Sequence, residues 1–231
     1  MPVSPITLLL GIGDEPPKAT LYYGQDVRTT LRLLPEKSVH TVCTSPPYFG
    51  LRDYGEEGQI GMEETPDLYV AEMVAVFREV HRVLRDDGTL WLNLGDSYSS
   101  GGRATYGTFQ PDSKQASQPA VKSARRPAAP PGVKPKEIIG IPWRVALALQ
   151  ADGWYVRQDI IWAKPNPMPE SVTDRCTKSH EYIFLLAKSE RYYFDNEAIK
   201  EPANSANYRA NRSVRAIPQG QMKQGKLDSR R

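Results

Sequence analysis

The sequence predicts an α/β fold in which a mostly parallel sheet carries an antiparallel hairpin at one end. Three observations predict it. Thr89-Leu90-Trp91-Leu92-Asn93-Leu94 is apolar nearly throughout, as a strand covered on both faces should be. Before it, Tyr69, Met73, Phe77, Val80 and Leu84 recur at spacings of three and four, the stripe of a helix that buries one side. A helix leading into such a strand is half of a βαβ unit. Glu181–Ala187 and Arg191–Phe194 are two strand-like runs joined by polar residues, which is the pattern of an antiparallel edge.

The remaining elements follow in order. After an N-terminal segment, residues 1–20, Leu21-Tyr22-Tyr23 forms a short strand. Gly24-Gln25-Asp26 turns it into a helix over 27–34, with Leu31, Leu33 and Leu34 on the apolar side. Val39–Thr44 is a short apolar run and reads as a buried strand. Residues 49–64, rich in glycine and acids, form a loop. Thr65 caps the next helix, Pro66 occupies its first turn and Asp67 is its early acid. That helix runs to about Arg85, and Asp86-Asp87-Gly88 ends it.

Residues 97–137 then lose all periodicity, with Arg125-Arg126-Pro127-Ala128-Ala129-Pro130-Pro131 at their centre. So long a stretch inside a domain is a functional loop or a disordered insertion. Pro142 opens a helix through Ala151, Gly153 closes it, and the strand Trp154–Trp162 follows. The domain spans 21–194, and residues 195–231 form a basic polar segment beyond it.

The chain of 231 residues is sized for one domain. It has 39% apolar residues, 20 prolines and a mean hydropathy of −0.53, so part of it stays outside the core. No run of apolar residues is long enough to span a membrane. Pro5–Leu10 is too short, and has too little positive charge before it, for a secretory signal. Cys43 and Cys176 lie far apart and make no metal motif, so reduced thiols and a cytoplasmic setting are expected. The net charge of +3 hides an asymmetry. Residues 100–137 carry seven Lys/Arg against two Asp/Glu, residues 196–231 carry eight against three, and the rest is net acidic. Basic segments beside an acidic body either meet a polyanion or are merely solvated.

The most informative residues are Ser45-Pro46-Pro47-Tyr48, directly after the strand at 39–44. Two prolines cannot continue a sheet and stiffen the backbone that leaves it. They hold a hydroxyl (Ser45), the carbonyl of Pro46 and an aromatic face (Tyr48) at the strand's C-terminal edge, where open α/β sheets bind ligands. This set suits a planar base bearing an exocyclic amine. The structural alternatives are a strand-end cap for Ser45 and ordinary packing for Tyr48.

Three blocks resemble the DNA amino-methyltransferases, which modify the exocyclic amine of cytosine (N4) or adenine (N6) with S-adenosylmethionine. The first is Thr44-Ser45-Pro46-Pro47-Tyr48 with the later strand ending Leu92-Asn93-Leu94-Gly95-Asp96-Ser97-Tyr98. The second runs from Gly153 to Pro167, and the third is His180-Glu181-Tyr182-Ile183-Phe184-Leu185-Leu186-Ala187-Lys188. Their order is that of the subgroup whose catalytic motif precedes its cofactor motif. The resemblance implies a Rossmann-like methyltransferase sheet. It also implies a cofactor turn of the type Asp-Pro-Phe-x-Gly-x-Gly towards the C-terminus, which these residues do not contain. Gly11-Ile12-Gly13 is a lone GxG at the other end and a poor substitute. The chain therefore resembles the catalytic half of the fold, either truncated or completed by a second segment or by a homo-oligomer.

The resemblance further implies double-stranded DNA as partner, a flipped target base, and DNA methylation of the restriction-modification kind. Tyr48 would stack on the base; Ser45 Oγ and the Pro46 carbonyl would accept its two N–H groups and localise the nitrogen lone pair. Pro47 completes the motif. No covalent intermediate is needed, and neither Cys43 nor Cys176 follows a proline, as in the carbon-5 methylases. Asp26, Thr44 and Ser45 are the expected cofactor contacts, Asp26 having the alternative of a helix N-cap. Asp53, Asn93, Asp96, Lys164, Asn166, Arg125 and Arg126 are candidates for the pocket or for DNA, with turn formation the alternative for Asp96. His180 is expected to be structural. Serine at the first motif position is more typical of N4-cytosine members, so cytosine is the expected target and adenine the alternative. A DNA-binding module without catalysis and a protein-amide methylase are the competing readings.

Overall fold

The computed structural model describes residues 6–9, 18–99, 132–167 and 169–201. Two short strands come first, β1 (Ile6–Leu9) and β2 (Lys18–Leu21), paired antiparallel in a two-stranded sheet of their own. The strand expected at 21–23 is thus displaced to 18–21 and does not join the main sheet; Tyr22 and Tyr23 are exposed. Asp26 caps α1 (Val27–Arg32), which ends slightly earlier than its leucines suggest.

The main sheet begins with β3 (Val39–Thr44). Thr65 then caps α2 (Pro66–Val83), its hydroxyl accepting from the Leu68 N–H at 3.2 Å. Tyr69, Met73, Phe77 and Val80 all lie buried, as their spacing requires. Leu84 is buried too, but as the first residue of β4 (Leu84–Leu94). The helix passes straight into the strand, where a turn was expected at 86–88. The acid-glycine run survives as an irregularity inside β4: Val39 pairs with Leu84, whereas Thr41 already pairs with Thr89. Lys37 and Lys188 both pair with Asp86 there.

Beyond the 97–137 segment come α3 (Ile141–Ala151), β5 (Tyr155–Ala163) and β6 (His180–Ala187). The sheet order is β3-β4-β6-β5. β3 is parallel to β4, and β6 is antiparallel to both β4 and β5. Three strands therefore point one way, and the antiparallel hairpin at the end is β5–β6. Residues 191–194 form no strand, because both edges of β6 are already taken. α2 and α3 share one core with Leu90, Leu92 and Leu94 of β4 and with Phe184 and Leu186 of β6. Among the described residues no helix is long and apolar enough to cross a membrane.

From Phe194 onward the described residues belong to a second unit, apart from the one that holds the main sheet. In its described part the Asp195 carboxylate accepts from the N–H groups of Glu197 and Ala198. The rest of the basic segment lies outside the described residues.

Candidate active site

The C-terminal ends of β3 and β4 and the start of β6 meet at one place. Thr44, the last residue of β3, pairs with Leu92, which brings the next residue of β4, Asn93, beside Ser45. Because β6 runs against β4, its beginning arrives at the end of β4, and Glu181 reaches the same corner.

The hydroxyl of Tyr48 is the hub. It lies 2.8 Å from Asn93 Oδ1, 3.0 Å from Glu181 Oε2 and 3.3 Å from Ser45 Oγ. Ser45 Oγ is itself 3.2 Å from Asn93 Oδ1. Asn93 Nδ2 donates to the Tyr182 carbonyl, which turns the amide oxygen towards the two hydroxyls. Lys164, just past β5, donates to the other oxygen of Glu181. Burial pushes the Tyr48 phenol up to about 12, with the charge of Glu181 acting in the same direction. Burial also works against the charge of Glu181, but donation from Lys164 and Tyr48 outweighs it and holds the carboxyl below its ordinary range.

The backbone of the motif is clamped from behind. Tyr69, fully buried on α2, donates to the Pro47 carbonyl at 2.8 Å, and its ring meets that of Phe49 at 5.6 Å. Gly61 closes the loop: its carbonyl accepts from the Gly50 N–H at 2.6 Å, its φ is +102°, and a Cβ there would come within 2.9 Å of the Tyr48 carbonyl. No described residue donates to the Pro46 carbonyl, which is left able to accept. In front lies a recess of about 320 Å³, formed by the four motif residues with Leu51, Arg52 and Tyr54. Its size is at the lower end of the range for small-molecule sites.

The other expected site residues divide. Asn93 and Lys164 belong to the cluster. Asp53 turns its loop by accepting from the Gly55 N–H at 2.8 Å, and Asn166 is exposed. Asp26 caps α1 through the Arg28 N–H, and both its oxygens also hold the Arg28 guanidinium, which keeps its carboxyl below the ordinary range. Asp96 is enclosed by the described residues around it. Its side chain is only 3% exposed, and Oδ1 accepts from the N–H groups of Ser97, Gly140 and Ile141 at the start of α3. Arg125 and Arg126 lie outside the described residues. Glu181, Arg52 and Tyr54 escaped the sequence reading as site residues. Glu181 stood in a recognised block, but only strand order reveals where it arrives.

Comparison with known proteins gives a consistent picture. The profile of a family described as DNA methylase matches residues 39–227. Type II methyltransferase M.Cfr9I of Citrobacter freundii is 54% identical over 196 residues, which is 85% of this chain and 63% of that protein. Type II methyltransferase M.SmaI of Serratia marcescens is 55% identical over 179 residues, 78% of this chain and 59% of that protein. Among solved structures, the cytosine-N4-specific PvuII DNA methyltransferase aligns with a TM-score of 0.52 at 18% identity, covering 84% of this chain and 62% of its own, a likeness of fold. The chain thus spans less than two thirds of the length of each of these relatives.

Proposed function

The chain belongs to the DNA methylase family, and on that premise we propose that it forms the base-holding part of an S-adenosylmethionine-dependent DNA methyltransferase acting on the N4 amine of cytosine. The observation that carries this reading is the cluster of Ser45, Tyr48, Asn93 and Glu181 beside the recess at the end of β3. A base lifted out of the duplex finds there a tyrosine ring to stack on, an interaction worth about 1–3 kcal/mol. Its two amine hydrogens meet Ser45 Oγ and the Pro46 carbonyl. Both acceptors favour a nitrogen whose lone pair is localised rather than shared with the ring. Fixing that nitrogen in one orientation supplies much of the rate gain.

S-adenosylmethionine fits this corner at its reacting end. Thr44 and Ser45 end a strand whose outer edge has no neighbour among the described residues. The hydroxyls, amide oxygen and carboxylate of the cluster form an acceptor-rich set suited to a cation. When bound, the group supplies an electrophilic methyl on a sulfonium. Thr44 and Ser45 would stand nearest it, and Asp26 would join them only by releasing Arg28.

Cytosine is preferred over adenine because the first motif position is Ser45. The chemistry of this hydroxyl accepts from either amine, so the choice rests on the tendency of the family. Expression of the full-length protein in a methylation-free bacterial host tests the proposal, with mass spectrometry of the hydrolysed DNA and mapping of the modified site. N4-methylcytosine is the expected product. N6-methyladenine overturns the choice of base, and the absence of both, with DNA still bound, favours a binding module without catalysis.

A further inference from the structure

Neither contact to the base argued above is made by Glu181 itself, yet the fold brings this half-buried carboxylate to the hub of the site. Ser45 Oγ lies 3.3 Å from the Tyr48 hydroxyl, and that hydroxyl lies 3.0 Å from Glu181 Oε2. We propose that this line is a proton relay that carries the surplus proton of the target amine from Ser45 through Tyr48 to Glu181. The proposal rests on the base-methylating function argued above.

The need for a relay follows from counting bonds. A conjugated NH2 group that takes a methyl from a sulfonium-class donor makes four bonds and becomes positively charged. The donor keeps the electron pair of the broken S–C bond and leaves as a neutral thioether. Nothing is oxidised or reduced overall, and one N–H proton must depart. It passes to Ser45 Oγ as the Ser45 proton moves to the Tyr48 hydroxyl and the Tyr48 proton moves to Glu181 Oε2. Ser45 and Tyr48 each end with the proton count they began with, so the phenol never ionises. Glu181 ends neutral and returns its proton to solvent.

Asn93 cannot be the terminus, although its Oδ1 is nearer to Tyr48 at 2.8 Å. An amide oxygen does not retain a proton, and the Asn93 amide group is committed to the Tyr182 carbonyl. Its part is to aim the two hydroxyls. Lys164 keeps Glu181 ionised and ready to accept. Glu181 acts through Tyr48 and Ser45, so it is a positioning and accepting residue that does not touch the base.

The test uses the full-length protein, a duplex carrying its mapped site with a fluorescent analogue at the target base, and single-turnover transfer from radiolabelled donor. Glu181→Gln keeps the shape and the hydrogen bond from Tyr48 but cannot take the proton. Its transfer rate at saturating DNA should fall by about 100-fold or more, the lower end of what a positioned base contributes. Fluorescence of the captured base and the half-saturating DNA concentration should stay within about twofold of wild type. Tyr48→Phe should lose a similar factor in rate, and Glu181→Asp should recover part of the Glu181→Gln loss. The relay is overturned if Glu181→Gln transfers as fast as wild type, or if its loss of rate is matched by loss of base capture. A wild-type protein that captures no base takes the proposed function down and the relay with it. One that captures and methylates at a rate Glu181→Gln equals leaves the function standing and removes only the relay.

Discussion

The ring of Tyr48 lies directly against Gly95. A Cβ built on Gly95 would sit 2.5 Å from Tyr48 Cε2 and 2.9 Å from Cδ2, far inside any real carbon contact. The ring cannot drift away freely, because Asn93 and Glu181 hold its hydroxyl. Hydrogen is therefore the side chain that this position accepts while the ring stays in place, and Gly95 sets the plane on which a base would stack.

Gly95→Ala should tilt the Tyr48 ring and draw its hydroxyl out of reach of Asn93 and Glu181. Stacking worth about 1–3 kcal/mol per base predicts a loss of roughly 10- to 100-fold in affinity for a target base already lifted from the helix. The added methyl is a case of overpacking, which costs about 1–3 kcal/mol of stability. Binding to a duplex with an abasic site opposite the target, measured beside urea unfolding, checks both. Wild-type affinity in the variant would show that the ring plane does not matter.

The part of this corner that was legible in the sequence is the part that is local. Ser45, the two prolines and Tyr48 follow one another, and the apolar run before them fixes a strand end. The buried stripe of α2 was equally plain, since one period covers it. What was hidden depends on partners distant in the chain. Leu84 looks like the last residue of a helical stripe, but pairing with Val39 makes it a strand residue. The run 191–194 looks like the partner of 181–187, but β4 and β5 already flank β6. The same non-local pairing hid Glu181, whose place depends on an antiparallel strand entering between two parallel ones. Asp96 shows the same limit from the other side. A Gly-Asp after a strand suggests an open turn, and nothing local announces that three N–H groups, two of them at the start of α3, will enclose the carboxylate.

Asp96 is accordingly expected to matter for stability. Its Oδ1 serves three backbone donors, and its Oδ2 lies 4.0 Å from the buried Lys178 Nζ, which has no hydrogen-bond partner among the described residues. Burial lowers the Lys178 pKa, and the charge of Asp96 opposes that shift. Asp96→Ala strands the ammonium and uncaps the helix, so a loss of about 3 kcal/mol is expected. Asp96→Asn keeps an oxygen for the N–H groups and should lose distinctly less. Urea unfolding of the two variants measures the difference. A loss below about 1 kcal/mol for Asp96→Ala would leave only an ordinary cap.

His81 predicts how stability changes with acidity. Its ring sits edge-on to that of Trp154 at 5.0 Å. Burial first, and the charge of Lys188 second, hold its pKa below the ordinary 6.5. The unfolded chain takes up a proton near 6.5, whereas the folded chain resists until the pH is lower. The unfolded state thus binds more protons in that window, and stability falls as the pH falls through it. His81→Leu should flatten this limb while leaving stability above pH 7 little changed. Denaturant midpoints for both proteins at pH 8 and pH 5.5 give the comparison, and parallel slopes would assign the acid sensitivity to other groups.

The segment that leaves β4 and returns to α3 is tied at its feet. The Ser99 N–H donates to the Glu137 carbonyl at 2.7 Å, Lys136 N–H to Ser99 at 2.8 Å and Ile139 N–H to Ser97 at 2.9 Å. Tyr98 and Ile138 pair between them. Because the chain departs and comes back at one closed base, residues 100–131 can be replaced by a short Gly-Ser linker without parting the elements that hold Ser45 and Asn93. Those residues carry five Lys/Arg and one Asp. If they meet DNA phosphates, the replacement should weaken binding, and the plot of log affinity against log salt should become shallower by about 0.9 for each phosphate no longer neutralised. Thermal unfolding should stay where it was. An unchanged salt slope would mean that this charge faces only solvent.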